Sequence, residues 1–128
     1  MLYVSSCGAK GRGVFSDSKI LRDELIERCP VLEIPAEELA KIDDTMLYNY
    51  YFSWGRESSA GAIALGLGSI YNHSYTPNAV YIVKPEEQMI EFRSIKKILA
   101  NEEITINYNG SPNDHSPLWN GDIINWQD

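Results

Sequence analysis

The sequence predicts a mainly β fold with little helix, and three observations lead to that prediction. The apolar segments are short and are separated by Gly, Pro and Asn, which favour turns and end regular structure. Two of these segments alternate in the way that a hairpin requires. The best helix candidate, residues 35–41, is barely two turns long. With 128 residues and no internal repeat, the chain corresponds to one domain.

In the first third of the chain, residues 2–5 are predicted to form a strand, and the glycine turn 8–13 leads into a second strand. Residues 25–34 mix β-branched and charged side chains and are predicted to form an extended segment broken by Pro30. The helix candidate follows directly, with proline in its first turn and acidic residues near its N-terminus, both of which favour helix initiation.

The middle and the end of the chain continue the β pattern. Residues 79–84 and 88–95 predict a hairpin, because Tyr81 and Val83 share one face of the first strand while Val80 and Ile82 share the other. The remaining segments are an aromatic-dense stretch at 46–54, a short apolar stretch at 62–67, a strand at 102–108 and, from 109, an irregular tail anchored by Trp119 and Trp126.

Composition limits the partners that the protein can have. Hydrophobic residues make up 44% of the chain, enough for a core without disulfides or metal. With 18 acidic and 11 basic side chains the net charge is -7, which argues against nucleic acid and anionic membranes and favours a basic protein segment. Cys7 and Cys29 fit no metal-ligand spacing. No signal peptide or membrane span is evident, so we expect a soluble intracellular protein with reduced thiols.

Three short motifs are the candidates for chemistry. The first is the glycine turn GRGVF at 11–15, the second is YNHSYTPN at 71–78, and the third is EEITINYN at 102–109. Taken singly, each has an ordinary structural interpretation: a glycine turn, a polar turn and an edge strand. The sequence lacks paired metal-binding histidines, a nucleophile elbow and a phosphate-binding loop, so no metal site is predicted.

In this order, the three motifs resemble those of the SET-domain protein lysine methyltransferases. The family string N-H-S-x-x-P-N is present as Asn72-His73-Ser74, Pro77 and Asn78, and E-(L/I)-x-x-x-Y is present at 103–108. The resemblance covers about three quarters of the chain, residues 10–110. In its size and in its lack of flanking domains, the chain is most similar to the minimal stand-alone SET proteins of a chlorella virus and of bacteria.

The resemblance implies a SET domain at 1–110, built of several small β-clip-like sheets with a C-terminal pseudoknot that brings the second and third motifs side by side. Residues 111–128 would form a lid or tail without zinc-binding cysteines. S-adenosylmethionine, which becomes S-adenosylhomocysteine, would bind on one face, and the substrate lysine would enter from the other through a narrow channel.

The resemblance also assigns roles to individual residues. Tyr108 corresponds to the catalytic tyrosine. The cofactor would be held by the backbone around the glycine turn, by Tyr50 and by the second motif, that is, by Gly11, Arg12, Gly13, Tyr50, Asn72 and His73. Since no zinc-binding cysteines follow Tyr108, another residue must close the cofactor site, and Trp119 is the candidate lid, with Trp126 second and simple anchoring of the tail as the alternative. Aromatic walls suit the apolar stem of a lysine, so the candidate channel residues are Tyr48, Tyr51, Trp54 and Tyr71, together with Ile106, although each aromatic residue among them is more readily explained as a core residue.

Several positions depart from the family pattern. Ser69 stands where many members have arginine, and Tyr75 stands where a zinc-binding cysteine often follows the second motif. Asn107 replaces the commoner aspartate. Aliphatic Ile106 occupies a position that is aromatic in some members and governs how many methyl groups are added, so the product state stays open.

The leading functional hypothesis is therefore an S-adenosylmethionine-dependent protein lysine N-methyltransferase, in the cytoplasm or the nucleus. Its substrate would be a basic segment, of a histone or a ribosomal protein, laid as a strand beside residues 48–58. One alternative is a SET-fold module that binds basic peptides with little or no methyl transfer. Another is a small β domain unrelated to methylation. Oligomeric state is open, with a homodimer favoured.

Overall fold

The structure is a computed structural model that describes residues 1–55 and 59–118. These residues form β1 (Leu2–Ser6), β2 (Arg12–Ser16), β3 (Leu25–Ile34), α1 (Ala36–Ile42), β4 (Phe52–Trp54), β5 (Ala60–Ala64), β6 (Asn72–His73), β7 (Ala79–Lys84), β8 (Met89–Ser94) and β9 (Glu103–Ile106). The prediction of a mainly β fold with little helix is confirmed.

The smaller sheet has the strand order β1-β2-β9-β6 and brings distant parts of the chain together. Its outer pair, β1 and β2, is an antiparallel hairpin around the glycine turn. Strand β9 lies antiparallel to β2 and parallel to β6, with Asn72 opposite Thr105 and His73 opposite Ile106. The second and third motifs are therefore neighbours, as the resemblance implied.

The larger sheet has the order β4-β5-β3-β8-β7, with β3 at its centre. The prediction that Pro30 breaks this segment is wrong, because β3 runs through the proline for ten residues. Pro30 is the last residue paired with β8, and Val31 is the first described with a partner in β5. The strand changes partner at the residue that has no N–H to donate, while the Pro30 carbonyl still accepts from Leu65 N at 2.9 Å.

Two local predictions are confirmed closely. The helix begins one residue later than predicted, after Pro35 at its N-cap, and carries two acidic residues in its first turn. The hairpin of β7 and β8 is joined by a 3₁₀ turn at Pro85–Glu87, and Gln88 follows in the left-handed region with a φ of 54°.

The core draws on both sheets. Val14, Ile104 and Ile106 come from the smaller sheet, and Cys29 and Phe92 from the larger one; all five are fully buried. Both cysteines are free thiols. Across the described residues, no helix has the length and apolar character needed to cross a membrane.

The described part of the tail, residues 109–118, is irregular, as predicted, and is held by polar contacts. The Tyr75 hydroxyl donates to the Ser116 carbonyl at 3.0 Å, and the Asn109 side chain donates to the same carbonyl at 2.8 Å. The Tyr75 ring stacks on His115 with centroids 5.8 Å apart. Trp119 and Trp126, the predicted anchors, lie outside the described residues.

Asn78 joins the end of the second motif to β9. Its side chain is 4% exposed, accepts from Thr105 N at 2.8 Å and donates to the Glu103 carbonyl at 2.8 Å. One amide thereby satisfies a backbone donor and a backbone acceptor of β9, as a neighbouring strand would.

Replacing Asn78 with alanine should lower the free energy of unfolding by about 2–3 kcal/mol, because a buried amide donor and carbonyl lose their partner. Urea denaturation measures this change. The matched control is Asn113→Ala on the exposed tail, which we expect to stay within about 0.5 kcal/mol of wild type. Equal stability of the two variants would show that Asn78 does not hold β9.

Candidate active site

Two adjoining cavities lie beside the paired strands β6 and β9. The first, which we call the tyrosine cavity, has a volume of about 270 Å³ and is lined by Tyr48, Asn49, Tyr50, Tyr51, Phe52, Ser53, Gly68, Ser69, Tyr71, Tyr81 and Tyr108. The second, the glycine-turn cavity, has a volume of about 250 Å³ and is lined by Lys10, Gly11, Arg12, Asn49, Tyr50, Ser69, Ile70, Asn72 and Tyr108. Tyr108 belongs to both linings, so the two cavities meet at this residue.

Tyr108 is fixed at three of its polar groups. Its hydroxyl donates to the Tyr71 carbonyl at 2.6 Å, and its N–H donates to His73 Nδ1 at 3.0 Å. Its carbonyl accepts from the Tyr81 hydroxyl at 3.2 Å. Burial, with smaller contributions from Tyr50 and Glu103, raises the pKa of Tyr108 well above the usual value near 10. The phenol is therefore a neutral hydroxyl at physiological pH.

The neutral form of His73 follows from the same contact. A backbone N–H can only donate, so His73 Nδ1 must be an acceptor, and the ring is assigned as the neutral tautomer with its proton on Nε2. The side chain is fully buried. The histidine of the second motif thus positions the backbone of Tyr108.

The glycine turn is shaped by its neighbours in the other two motifs. Gly11 has a φ of 81°, in the left-handed region that favours glycine. A Cβ on Gly13 would collide with the Glu103 carboxylate. The Asn72 amide donates to the Arg12 carbonyl at 2.8 Å and to Glu103 Oε2 at 2.8 Å. Asn72 therefore links all three motifs.

Four of the residues predicted to hold a cofactor line the glycine-turn cavity: Gly11, Arg12, Tyr50 and Asn72. Gly13 and His73 do not line it. Gly13 is packed against Glu103 behind the turn, and the His73 carbonyl accepts from Lys10 Nζ at 3.3 Å. Trp119, the predicted lid, lies outside the described residues.

Three of the residues predicted for the channel line the tyrosine cavity: Tyr48, Tyr51 and Tyr71. The Tyr71 side chain is 1% exposed, and its ring stacks on Phe92 at 4.4 Å, so the polar group that it gives to Tyr108 is its carbonyl. Asp43 accepts from the Tyr51 hydroxyl at 2.9 Å, and burial together with Asp43 raises the pKa of Tyr51 to about 12.

The structure does not bring the two other predicted channel residues, Trp54 and Ile106, to either cavity. Trp54 is buried, and its indole N–H is directed to Glu33 Oε2 at 2.6 Å. Ile106 is fully buried in β9 beside His73 and belongs to the core. Tertiary partners, which the motif alone does not reveal, decide the direction of both side chains.

Several lining residues were missed from the sequence. Ser69, noted only as a departure from the family pattern, lines both cavities and donates to the carbonyls of Tyr50 and Ala64 at 3.2 and 3.1 Å. Tyr81 packs edge-on against Phe52 at 4.9 Å and reaches Tyr108. Its alternation in the predicted hairpin was the only signal, and it did not distinguish a cavity wall from the core.

The two cavities differ in electrostatic character. Lys10 and Arg12 line the glycine-turn cavity, which in a chain of net charge -7 suits a ligand with an anionic group. Among the described residues, the lining of the tyrosine cavity has no lysine or arginine and is mostly aromatic. Aromatic faces suit an alkyl stem that ends in an amine or ammonium group.

Within the described ranges, no three metal-ligating side chains cluster together. Tyr75, at a position that is often a zinc-binding cysteine in relatives, instead contacts the tail through Ser116 and His115. Aromatic stacking and hydrogen bonds hold this part of the chain.

The two adjoining cavities differ in polarity and share the partly buried Tyr108. A SET domain profile matches residues 11–109. The chain belongs to the SET domain family, and it is a SET-type protein-lysine N-methyltransferase.

A curated relative from Schizosaccharomyces pombe, named as a histone-lysine N-methyltransferase specific for H3 lysine 37, is 37% identical over 108 residues, which cover 84% of this chain and 72% of the relative. A crystal structure of a candidate histone methyltransferase from Plasmodium falciparum has a TM-score of 0.70 and 28% identity, covering 90% of this chain and 94% of that one. A humanized mutant of Polycomb Repressive Complex 2 from Chaetomium thermophilum has a TM-score of 0.72 at 23% identity, covering 92% of this chain and 16% of that chain, and shows the fold alone.

Two buried groups that can lose a proton, the Cys29 thiol and the Tyr71 phenol, predict how stability depends on pH. Burial, and to a lesser extent Glu27, raises the pKa of Cys29 from 9.0 to about 12, and Tyr71 is raised in the same direction for the same reasons. The folded state therefore holds these protons more tightly than the unfolded chain, in which a thiol has a pKa of about 8.5 and a phenol a pKa of about 10. Stability should be full below about pH 8.5 and should fall as the pH rises further.

Urea denaturation between about pH 8 and pH 10.5 measures this loss. Cys29→Ala should show a smaller decrease than wild type over the same interval, because one of the raised groups is gone. An identical decrease in both proteins would contradict the assignment to Cys29.

Proposed function

We propose that this enzyme transfers a methyl group from S-adenosylmethionine to a lysine in a basic, histone-like segment, with the cofactor in the glycine-turn cavity and the lysine in the tyrosine cavity. The observation that carries this assignment is that the two cavities meet at Tyr108, whose hydroxyl is held at 2.6 Å from the Tyr71 carbonyl. S-adenosylmethionine, when bound, supplies a sulfonium methyl group that a neutral amine attacks in line.

The residues of the glycine-turn cavity fit this cofactor. The positive φ of Gly11 brings backbone close to the cavity with no side chain in the way. Lys10 and Arg12 offer cations to a carboxylate, and Asn72 and Tyr50 offer polar groups to an amino group. Asn72 is itself immobilised by its contacts with Arg12 and Glu103, so this part of the cavity is preorganised.

The tyrosine cavity fits the substrate amine, which must lose its proton before it can react. A free lysine has a pKa of about 10.4, so neutralising it near pH 7.5 costs about 4 kcal/mol. Removal of the amine from water, and the nearby sulfonium cation of a bound cofactor, would each disfavour the charged form and reduce that cost. Tyr108 is not the base, because its hydroxyl is already protonated; its oxygen and the Tyr71 carbonyl align the amine.

The protein surface supports a basic segment as substrate. In the part of the chain that the structure describes, strand β4 lies at the edge of the larger sheet, and an extended peptide can add to an edge strand. Asp43 lies next to the cavity wall through Tyr51, and the chain as a whole carries a net charge of -7. The name of the S. pombe relative favours histone H3 among basic substrates. A histone substrate would place the enzyme in the nucleus, and a ribosomal one in the cytoplasm.

The wild-type enzyme should transfer tritiated methyl from S-adenosylmethionine to core histones or basic ribosomal proteins, and Tyr108→Phe should lower turnover by about 100-fold or more, because the aligning hydroxyl is lost. Scintillation counting after filter binding measures both rates. Tyr3→Phe is the matched control, since the Tyr3 hydroxyl contacts Asn101 away from the cavities.

Normal turnover in Tyr108→Phe would remove this residue from the mechanism. Saturable binding of histone peptides without any transfer by the wild-type chain would favour the alternative of a peptide-binding module.

The cofactor assignment has its own test. Asn72→Ala should weaken binding of S-adenosylhomocysteine about tenfold or more, because the amide that orders the glycine turn is lost together with a polar contact. Isothermal titration calorimetry measures the affinity, and the exposed Asn113→Ala serves as control. Wild-type affinity in Asn72→Ala would place the cofactor elsewhere.

A further inference from the structure

Glu27 is a carboxylate on β3 that the proposed mechanism does not use, and both of its oxygens bind one loop. Oε1 accepts from the Tyr71 hydroxyl at 2.8 Å, and Oε2 accepts from Leu67 N at 3.0 Å. The loop in question, residues 65–71, connects β5 to β6 and is called the β5–β6 loop below. Hydrogen bonds to an ionised carboxylate are stronger than those between neutral groups, so Glu27 is a firm anchor for this loop.

The β5–β6 loop is shaped to approach β3 closely. Gly66 has a φ of 64°, and a Cβ there would lie 2.6 Å from Glu27 Oε2. A Cβ on Gly68 would lie 2.9 Å from the sulfur of Cys29. A larger residue at Gly66 would push the loop away from the Glu27 carboxylate, and one at Gly68 would collide with Ala64 and Cys29.

The same loop carries part of the proposed active site. Gly68 and Ser69 line the tyrosine cavity, and the Tyr71 carbonyl accepts the Tyr108 hydroxyl at 2.6 Å. The Tyr71 ring is held on its face by Phe92 at 4.4 Å and at its tip by Glu27. A residue whose side chain is held at both places has little freedom left in its backbone, so the position of the Tyr71 carbonyl depends on the Glu27 contact.

We infer that Glu27 is a positioning residue for the methyl transfer step: it acts through Tyr71 to set the carbonyl that orients the Tyr108 hydroxyl. This inference rests on the proposed function for its kinetic consequence, and on the geometry alone for its structural one. Glu27 itself lines neither cavity and acts through Tyr71 and the β5–β6 loop, so its removal should change the rate of the reaction more than the binding of the reactants.

Glu27→Gln is the sharpest variant, because it conserves size. In a glutamine one of the two oxygens becomes an NH₂ group and the negative charge is lost, so the charge-assisted bond from the Tyr71 hydroxyl is replaced by a weaker neutral bond in the reverse direction, or the bond from Leu67 N is lost. We expect kcat to fall about 10- to 100-fold, as a small displacement of aligned groups does, while the KM for S-adenosylmethionine stays within about twofold. Glu87→Gln is the matched control, since Glu87 forms an ion pair with Arg28 on the surface.

Tyr71→Phe provides a second route to the same contact if Glu27→Gln does not fold. It removes the hydroxyl but leaves Glu27 on Leu67 N, so it should lower kcat in the same direction. The double variant should be no slower than the slower single variant, because both substitutions break one interaction. Multiplied effects in the double variant, or unchanged kcat in both single variants, would overturn the inference.

An NMR measurement tests the geometry without relying on activity. In protein labelled with ¹³Cζ-tyrosine, the Tyr108 resonance, assigned with Tyr108→Phe, should shift in Glu27→Gln and stay in place in Glu87→Gln. If Glu27→Gln shifts the Tyr108 resonance but the wild-type chain transfers no methyl group, the positioning role is supported and the proposed function fails. An unmoved resonance in folded Glu27→Gln would overturn the inference whatever the activity.

Discussion

The pairing of β6 with β9 is the constraint on which the rest of the structure depends. This parallel contact joins only two residues of each strand, too few backbone hydrogen bonds to hold distant segments of the chain together. Polar side chains of the second motif supply the further hydrogen bonds that hold β6 and β9 together. Asn72 links the glycine turn to Glu103, His73 accepts from the backbone of Tyr108, and Asn78 satisfies two backbone groups of β9. The polar side chains of the second motif therefore hold distant segments together by hydrogen bonds, and these hydrogen bonds fix the position of Tyr108.

The chemistry of the site rests on groups that are kept neutral and fixed. Burial keeps the Tyr108 phenol protonated, and the backbone N–H of Tyr108, which donates to His73 Nδ1, keeps the His73 ring uncharged. A mostly aromatic wall on one side and two cations on the other then separate an environment for an amine from one for an anionic group. In such an arrangement catalysis depends on alignment and on the exclusion of water more than on proton transfer by a side chain.

Local patterns predicted the elements whose stability is local. The β7–β8 hairpin, the short helix after Pro35 and the strand before Tyr108 were all evident from alternation, capping residues and turn residues. Pro30 was misjudged because its tolerance depends on a change of strand partner, which involves residues far along the chain. Trp54 was placed in the channel although its direction is set by Glu33, and Tyr81 was missed because alternation separates two faces without saying which one borders a cavity. The family motifs singled out Tyr108, which lines both cavities, whereas the anchoring of Tyr71 by Glu27 has no signature in the sequence.

The antiparallel contact between β2 and β9 affects how the protein folds during its synthesis on the ribosome. Val14 lies opposite Ile104, so β2 leaves the exit tunnel well before the strand β9 with which it pairs. The larger sheet can form earlier, because β3, β5, β7 and β8 are complete by residue 94. A nascent chain therefore passes through a stage in which the larger sheet can be formed while the smaller sheet still lacks β9. At that stage the apolar side chains of β2 that later pack against β9 are exposed to chaperones or to other nascent chains.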